Sequence, residues 1–522
     1  MRETLMLRRL SDRKLVAFVA SGAILILLGC HDSPTQPIPD AVLVTPSASL
    51  VQVGDSVMLS TSYQFGATSQ AADGRIRWTS SDTTAFTVDQ AGYGHALKYS
   101  GTPITVTATA SGVSGSTDIT VLPKFDSLIV TVSAAIAAGR TVRPSLAIVR
   151  ADPSPYPSDS PFLELPELSA KVALSSSDPA TLSVASDGSI HALAVGHATI
   201  TGQLAGKSST VQVDVVSGYA VKSLSGTADY TVKGVNDASA IIASRAGDAS
   251  HRATDVLWHD GTATDLGLCV AHDLNNAGQV ACEVMSASYM QPGVYSVGIP
   301  GIYSAGTVTE LFDRTAYHSG ASTGITESGT VFGLVRDAVG TPALFLSTSS
   351  GVTIPALAGY WYGDSYDINS LNHAVVVSRT AEYPSSSIIG ASSSIALSPL
   401  SGRWAEARYL NDADDAVGWS EGWGGLSATI WRASNNWKPE SPGYRADRPV
   451  GISEAGLVVG NGTDGPYVWH SGRYTILNDA IATSGWTLSS VGAISRSGIV
   501  AAQGTNADGT KSVILIDLGQ LP

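Results

Sequence analysis

Leu274-Asn-Asn-Ala-Gly-Gln-Val280 is one of seven copies of a short phrase in the second half of the 522-residue chain. We call the first, aliphatic residue of each copy its anchor; the other anchors are Val235, Ile325, Ile368, Leu410, Ile452 and Ile494. The last three intervals between anchors are each 42 residues long. A period near 40 residues in a strand-rich chain is typical of β-propellers, so the phrase predicts one sheet per repeat.

Each position of the phrase has a structural explanation. The anchor suits a buried strand residue, and the second residue is Asn, Ser or Thr, whose side chain can bond nearby backbone and start a turn. The fifth residue is Gly in four copies and Ser239, Asn372 or Asp414 in the others. Gly and Asn reach positive φ easily, Asp less readily, and Ser239 fits poorly. The phrase therefore predicts a strand, a tight turn with a left-handed residue, and a second strand.

The ends of the repeat region fit a closed ring. A second apolar segment follows each phrase, such as Val256-Leu-Trp258, and a further short strand usually comes next. Three to four strands per repeat is the content of one propeller blade. The last repeat stops near Gly519, and residues 218–233 can supply the missing strands, which would remove the exposed sheet edges. We expect a seven-bladed β-propeller over residues 218–522; the long second repeat leaves six or eight blades open.

The repeats resemble a known extracellular family. The stretch Val256-Leu-Trp-His-Asp-Gly-Thr-Ala-Thr-Asp-Leu-Gly267 is similar to the HAF-type repeats of bacterial secreted proteins, and the match covers residues 218–519. That family is defined by its repetition and not by an activity. The resemblance implies a fold and an extracellular compartment only.

The N-terminus predicts export. Basic residues between positions 8 and 14 precede an apolar run over residues 15–28, which is typical of a secretory signal. The run ends in Leu27-Leu-Gly-Cys30 and so resembles a bacterial lipoprotein signal, with residues 1–29 cleaved and Cys30 lipidated. The alternative is a signal anchor with an incidental cysteine, but the run is short for a membrane span. Residues 30–39 then form a polar, Pro-rich tether.

Location and partners follow from the same features. We expect a membrane-anchored protein of the cell envelope, at the outer membrane or cell surface, and a periplasm-facing position stays open. The formal net charge of −14 argues against nucleic acid as a partner. The same charge permits cationic ligands or calcium without requiring them.

Two cysteines besides Cys30 flank the turn of the second repeat. Cys269 and Cys282 lie on the two arms of one hairpin, so a disulfide is compatible with an oxidising compartment. Simple pairing places Val270 or Ala271 opposite Cys282, so the bond requires a bulge. The alternative is two small buried thiols.

Residues 40–122 predict a β-sandwich of short alternating strands. The order of Val53-Gly-Asp55, Trp78-Thr-Ser-Ser-Asp82 and Ile104-Thr-Val-Thr-Ala108 resembles the bacterial Ig-like domains of group 2. Residues 123–217 read as a second, degenerate copy, in which Leu174 replaces Trp78. Domains of this type are stalk modules in adhesins, intimins and secreted enzymes. The whole chain is therefore expected to be all-β, with two Ig-like β-sandwiches before the propeller.

The motifs that could carry chemistry favour structural roles. Gly320-Ala-Ser-Thr-Gly324 matches G-x-S-x-G but leads into a repeat anchor and not into a helix, so we predict no catalytic residue there. Residues 411–415, 461–464 and 506–508 place Asp and Asn on turns, which suits calcium, although turn roles explain them better. We predict no metal site and no cofactor, with calcium left open.

Aromatic residues on Gly-rich loops are the candidate ligand contacts. Sugar rings stack on aromatic faces, and their hydroxyls need polar neighbours. Packing within the blades is the alternative explanation. The candidates are Trp361, Tyr362, Tyr366, Trp419, Trp423 and Trp437.

The leading functional hypothesis is a lipid-anchored, non-enzymatic cell-surface protein for binding or adhesion, in which an Ig-like stalk presents the propeller to a glycan or protein ligand. The alternative is an extracellular glycan-active hydrolase or lyase that uses the central funnel, which requires paired carboxylates at one mouth. Its candidates are Asp364, Asp367, Asp412 and Glu421. A third class, a periplasmic scaffold, predicts a smooth ring without a polar funnel.

Overall fold

The computed structural model describes residues 39–72, 76–151, 162–164, 170–246, 254–286, 297–354, 362–380, 383–390, 394–422, 425–443, 446–482 and 485–519. Regular structure in these ranges is almost entirely β-strand, as the sequence predicts, with a short helix α1 (Leu477–Ala480) and a 3-10 turn at Ala433–Asn435. Within the described ranges no helix is long and apolar enough to cross a membrane. The predicted signal segment and Cys30 lie outside the described residues.

The first module is a sandwich of two sheets. One sheet has the order β1-β3-β7-β6 with β4 beside β3, and the other has the order β2-β9-β8-β5. Alternate residues of β8 are buried, as expected for a strand with one face on the core. The strands are β1 (Ala41–Pro46), β2 (Leu50–Gln52), β3 (Ser56–Phe65), β4 (Thr68–Ala71), β5 (Arg77–Ser80), β6 (Phe86–Val88), β7 (Tyr93–Ala96), β8 (Ile104–Ala110) and β9 (Val113–Leu122).

The second module repeats part of this topology. In the second module β11 pairs in parallel with β19, as β2 pairs with β9 in the first module. The sheet order β11-β19-β18-β15 likewise corresponds to β2-β9-β8-β5. Smaller sheets β12-β17-β16 and β10-β13-β14 complete the module. The strands are β10 (Phe125–Thr131), β11 (Ala135–Ala137), β12 (Thr141–Val142), β13 (Ser145–Arg150), β14 (Phe162–Leu163), β15 (Ala173–Ser176), β16 (Leu182–Val184), β17 (Ile190–Ala192), β18 (Gly196–Leu204) and β19 (Lys207–Val216).

The remaining described strands form seven four-stranded antiparallel sheets in chain order, which we call the seven-sheet unit. The first six are β21 (Tyr230–Val235), β22 (Ile241–Arg245), β23 (Thr254–His259), β24 (Thr262–Asp265); β25 (Cys269–Leu274), β26 (Val280–Val284), β27 (Ile299–Ser304), β28 (Thr307–Glu310); β29 (Tyr317–Ile325), β30 (Val331–Asp337), β31 (Pro342–Thr348), β32 (Gly351–Thr353); β33 (Tyr362–Ile368), β34 (Ala374–Thr380), β35 (Tyr383–Ile389), β36 (Ser394–Leu397); β37 (Ala405–Leu410), β38 (Ala416–Gly422), β39 (Gly425–Trp431), β40 (Pro439–Glu440); and β41 (Ala446–Ile452), β42 (Val458–Gly462), β43 (Gly465–His470), β44 (Arg473–Ile476).

The seventh sheet joins the two ends of the unit. Strands β45 (Trp486–Ile494), β46 (Ile499–Asn506) and β47 (Lys511–Asp517) come from the C-terminus, and β20 (Val221–Leu224) pairs antiparallel with β47. The first strand of each of the other six sheets, and β45 of the seventh, leads into a phrase; we call these the inner strands. Consecutive inner strands contact each other, and β45 contacts β21, so the contacts return from the seventh sheet to the first.

The phrase forms the turn that the sequence predicts. The fifth residue has positive φ in all seven copies, including Ser239 at 63° and Asp414 at 60°. Six anchors are buried, and the seventh, Ile494, is half-buried. The side-chain oxygen of the second residue accepts a backbone N–H four residues later, as Asn411 does from Asp415 at 2.9 Å. The predicted left-handed turn is confirmed.

A β-bulge precedes every anchor, and the sequence did not predict its regularity. In each inner strand the register with the second strand shifts so that the residue two places before the anchor has no opposite partner. In the fourth sheet the shift includes the next residue as well. We call the residue two places before the anchor the bulge residue. The bulge residues are Lys233, His272, Thr323, Tyr366, Arg408, Val450 and Gly492.

The second module is fixed to the outer edge of the sixth sheet. Asp214 pairs with Arg473 at 2.6 Å, and the Ala134 N–H donates to the Tyr474 carbonyl at 2.8 Å. The first module is joined to the second in a similar way, since the Phe125 N–H donates to Gln52 Oε1 at 3.0 Å. The described modules and the seven-sheet unit are therefore connected by direct contacts at each junction.

Candidate functional site

A cavity of about 790 Å³ lies between the seven inner strands, and every sheet contributes to its wall. All the bulge residues except Gly492 line it. A bulge changes the direction of a side chain within a strand and is common beside binding sites. The repeated bulge therefore directs six different side chains into one space.

The cavity wall is divided by polarity. The bulge residues of the first five sheets are polar or charged, whereas the sixth and seventh sheets contribute mostly small or aliphatic residues. The apolar side includes Val450, Ile452, Ala493 and Ile494. The two sides therefore differ at the bulge positions, although aliphatic anchors such as Leu274 and Ile325 also line the polar side.

Arg496 occupies the end of the cavity formed by the phrase turns, which we call the turn end. Its guanidinium lies 2.8 Å from Glu454, 3.1 Å from Asp412 and 3.3 Å from Glu327. All four residues hold the third position of their phrases, on four different sheets. Burial lowers the pKa of Arg496, but the carboxylates, Asp412 first, outweigh it and raise the pKa above its usual value. Arg496 therefore stays charged and ties four turns together.

Two enclosed carboxyl groups connect neighbouring inner strands near this end. Asp273 accepts the backbone N–H groups of Leu274 and Ile325, both at 2.8 Å. Asp367 accepts those of Ile368 at 2.8 Å and Leu410 at 2.9 Å. Burial raises the pKa of Asp273 to about 6, and burial with the nearby charge of Asp273 raises that of Asp367 to about 7.

The candidate carboxylates of the enzyme hypothesis are only partly brought together. Asp364 and Asp367 line the cavity, but both oxygens of Asp367 are bound to backbone N–H groups. Asp412 belongs to the Arg496 cluster and also accepts the Ser370 N–H at 2.7 Å. Glu421 accepts the Arg403 N–H at 2.7 Å and is not a cavity residue.

Arg408 covers two of the candidate aromatic platforms. Its guanidinium carbon lies 4.3 Å from the ring centre of Tyr366 and 4.5 Å from that of Trp419, and its Nε donates to Glu406 at 3.0 Å. The Tyr366 hydroxyl also donates to Glu406, at 3.1 Å. Burial raises the pKa of Tyr366, so its hydroxyl stays protonated. One face of each ring is thus occupied by Arg408.

The other aromatic candidates divide into two groups. Trp437 is half-buried against the core of the fifth sheet, and its Nε1 donates to the Asp414 carbonyl at 2.9 Å, which is a packing role. Trp361, Trp423 and the side chain of Tyr362 lie outside the described residues.

Lys233 and His272 form the wall between the first and second sheets. Lys233 pairs with the buried Asp255 at 2.6 Å. The His272 side chain is exposed to the cavity, yet desolvation by the surrounding protein lowers its pKa to about 4, and the Lys233 charge contributes. His272 is therefore neutral near pH 7 and can both donate and accept a hydrogen bond.

The opposite end of the cavity, where the inner strands begin, we call the start end. Ser319 and Asp364 lie in the early part of their strands, and Arg336 is opposite Ser319 in the register of β29 and β30. Glu283 accepts the Gly298 N–H at 2.8 Å, and burial raises its pKa. The Asp364 carboxylate lies 3.3 Å from the Tyr366 hydroxyl, which shares its one hydrogen between Asp364 and Glu406.

Cys269 and Cys282 are joined by a disulfide bond with their Cα atoms 5.5 Å apart. The predicted need for a bulge is wrong: Ala271 is directly opposite Cys282 in unbroken register, so the bond joins a diagonal pair, and the bulge at His272 lies outside it. The bond connects the first two strands of the second sheet beside the cavity.

The turns considered for calcium use their oxygens internally. Asp415 accepts the Ala433 N–H at 2.9 Å and pairs with Arg432 at 3.0 Å. Asn461 exchanges two hydrogen bonds with the backbone of Val491, and Asp508 accepts the Thr510 N–H at 2.8 Å. Across the described ranges, no group of three His, Cys, Asp or Glu residues has the geometry to hold a metal ion.

Comparison with known proteins identifies one segment. Residues 40–121 match the family model of the bacterial Ig-like domain (group 2). No curated protein matches the chain. Among solved structures, domains 4 and 5 of the S-layer protein SbsC are 13% identical, with a TM-score of 0.16, over 34% of this chain and 100% of that one.

Two longer likenesses are also weak. A protein of unknown function from Bacteroides thetaiotaomicron VPI-5482 is 10% identical, with a TM-score of 0.32, over 93% of this chain and 98% of that one. TolB from Acinetobacter baumannii is 10% identical, with a TM-score of 0.28, over 75% and 96%. At such scores these likenesses carry no functional argument, and the first module alone is assigned to a family.

Proposed function

We propose that this protein is a lipid-anchored bacterial surface protein that binds a saccharide in the central cavity of a seven-bladed propeller. The seven four-stranded sheets, the pairing of β20 with β47 and the contact of β45 with β21 support the propeller. The Ig-like match supports a cell-surface setting, and the Cys269–Cys282 disulfide is compatible with an oxidising compartment. The anchor at Cys30 rests on the sequence pattern.

The cavity carries the proposal. Ligand sites in proteins commonly have volumes of about 300–1,000 Å³ with a few directed polar groups, and this cavity is in that range. The Arg496 cluster lies at the turn end and its ion pairs hold that end together, so we propose that the ligand enters from the start end.

The wall suits a saccharide because a sugar ring has an apolar C–H face and hydroxyl groups at its edge. The neutral His272 and the hydroxyl of Thr323 lie on the polar side, and Val450 and Ile494 lie on the apolar side. A hydroxyl both donates and accepts hydrogen bonds, which matches a neutral imidazole better than a charged one.

Binding is favoured over the alternative, hydrolysis or elimination of a glycan. A glycosidase needs two carboxyl groups that are free to exchange protons or attack the sugar. Asp273 and Asp367 direct both of their oxygens at backbone N–H groups, and Glu283 uses one oxygen in the same way. These groups serve to position strands.

The contacts at both junctions suggest that the two modules act as a stiff support. The second module holds the sixth sheet at its outer edge, through Arg473 and Tyr474, and not at the cavity. The start end can therefore remain accessible while the protein is anchored.

Calorimetric titration of the full chain with a panel of neutral and charged oligosaccharides tests the proposal. Two variants, His272→Ala and Thr323→Val, each remove hydrogen-bonding capacity from the cavity wall and should weaken binding about three- to tenfold. His259→Ala is the matched control, because His259 lies on the β23–β24 turn outside the cavity. Equal binding by the wild type and both cavity variants, or binding of no saccharide, would overturn the proposal.

A further inference from the structure

Arg336 differs from the other cations that line the cavity. Lys233 has a carboxylate within 2.6 Å, Arg408 pairs with Glu406, and Arg496 has three carboxylate partners. Within the described part of the chain, no carboxylate lies within 4.0 Å of the Arg336 guanidinium. The cavity thus contains one cation that has no paired carboxylate among the described residues.

Arg336 is placed where an anionic group of a ligand could reach its guanidinium. The residue is half-buried on β30, opposite Ser319, at the start end through which a ligand would enter. Partial removal of a guanidinium from water is unfavourable unless an acceptor replaces the lost hydration. A planar guanidinium offers a fork of donors that matches a carboxylate or a sulfate better than a hydroxyl does.

The acids at the same end have other partners. Glu283 accepts a backbone N–H from Gly298, and the Asp364 carboxylate lies 3.3 Å from the Tyr366 hydroxyl. The remaining acids of the wall, Asp273, Asp367, Glu327 and Glu454, lie toward the turn end, where backbone N–H groups and Arg496 surround them. An anionic group at Arg336 would therefore be separated from the densest negative charge.

We propose that the cavity selects an acidic saccharide, whose anionic substituent pairs with Arg336 while its ring lies between the polar and apolar sides of the wall. This inference rests on the proposed saccharide-binding function and specifies the ligand class. A uronic acid carboxylate and a sulfate ester share the required chemistry, so the experiment includes both.

Calorimetry on the full chain with oligogalacturonate, its methyl ester and a sulfated galactan tests this inference. The wild type should bind at least one acidic probe about tenfold or more tightly than the neutral ester. Arg336→Gln should weaken binding of that acidic probe about 10- to 100-fold and leave the ester unchanged, and Arg336→Lys should have an intermediate effect. The affinity of the acidic probe should also fall with added salt.

The control is Arg245→Gln, because Arg245 pairs with Asp265 on the first sheet and does not line the cavity. It should bind like the wild type, and thermal melting of both variants should show intact folding. Equal affinity for acidic and neutral probes, or an equal loss of both in Arg336→Gln, would overturn the acidic-ligand inference and leave saccharide binding in place. Binding of no saccharide would overturn both proposals.

Discussion

Arg496 and Glu454 are 2.8 Å apart although they come from the turns of two different sheets. Both hold the third position of the phrase, and Asp412 and Glu327 complete the cluster from two further sheets. The cluster therefore connects sheets that are far apart in the chain. Its stability contribution therefore includes a contact between the third and seventh sheets, which are not neighbours.

Replacement of Arg496 by Gln should lower the free energy of unfolding by about 2 kcal/mol, because three carboxylates would be left together without their counterion. The side chain is only 24% exposed, so solvent screening is limited. Urea unfolding measures the change in the free energy of unfolding.

The control is Arg245→Gln, which removes an ion pair that is about half exposed and should change stability by less than about 0.5 kcal/mol. Equal stability of the two variants would show that the cluster contributes nothing beyond an exposed pair.

The second residue of the phrase has two separable roles, which Asn411 shows. Its Oδ1 accepts the Asp415 N–H at 2.9 Å within its own turn, and its Nδ2 donates to the Ser453 carbonyl of the next repeat at 3.2 Å. Asn411→Ser should keep the first bond, as Ser453 does with Leu457, and cost about 1 kcal/mol. Asn411→Ala loses both bonds and should cost about 2 kcal/mol. Thermal unfolding of both variants distinguishes the roles: a Ser variant as stable as the wild type would refute the inter-sheet contribution, and equal losses in Ser and Ala would refute the intra-turn one.

The sequence predicts the repeat unit because its signals are local. The left-handed residue at Gly278 or Asn372 and the side chain of Asn275 or Asn411 act within a few residues, so one copy of the phrase contains the information for its turn. Repetition then predicts similar sheets in sequence.

The cavity residues are harder to predict because a β-bulge, and not regular strand alternation, sets the direction of their side chains. Strict alternation would place Lys233 on the same face as the anchor Val235, which is buried. Lys233 is itself the extra residue of the bulge, so its side chain departs from that alternation, and Lys233 and Val235 both line the cavity. The bulge residues share no residue type, so comparison of the repeats does not reveal them. The Arg496 cluster is also hard to predict from the sequence, since its four residues belong to different repeats and meet only in the folded unit.

The raised pKa values of Asp273 and Asp367 predict a distinct pH dependence. A carboxyl has a pKa near 3.9 in an unfolded chain, whereas these titrate near 6 and 7 in the fold. Between these values the folded state binds more protons, so the stability contribution of these groups is complete below about pH 4 and is lost as the pH rises through 6 to 7. Asp367→Asn should therefore destabilise the protein more at pH 5 than at pH 8, by about 1–3 kcal/mol.

Urea unfolding at the two pH values measures this difference. Asp508→Asn is a control of opposite sign, because hydrogen bonding to Thr510 lowers the pKa of Asp508. Its effect should not decrease as the pH rises. An Asp367→Asn penalty that is the same at both pH values would show that Asp367 is already ionised at pH 5.

Ser239 is the one phrase residue whose type conflicts with its conformation. Its φ of 63° places a side chain with a Cβ atom in the left-handed region, where four copies have Gly. Ser239→Gly should raise the free energy of unfolding by about 0.5–1 kcal/mol, since relief of the left-handed strain exceeds the added flexibility of the unfolded chain. Ala238→Gly, one residue earlier and without positive φ, should lower stability by a similar amount. Thermal melting of the pair isolates the effect of φ from that of chain flexibility, and a loss of stability in both variants would show that Ser239 is unstrained.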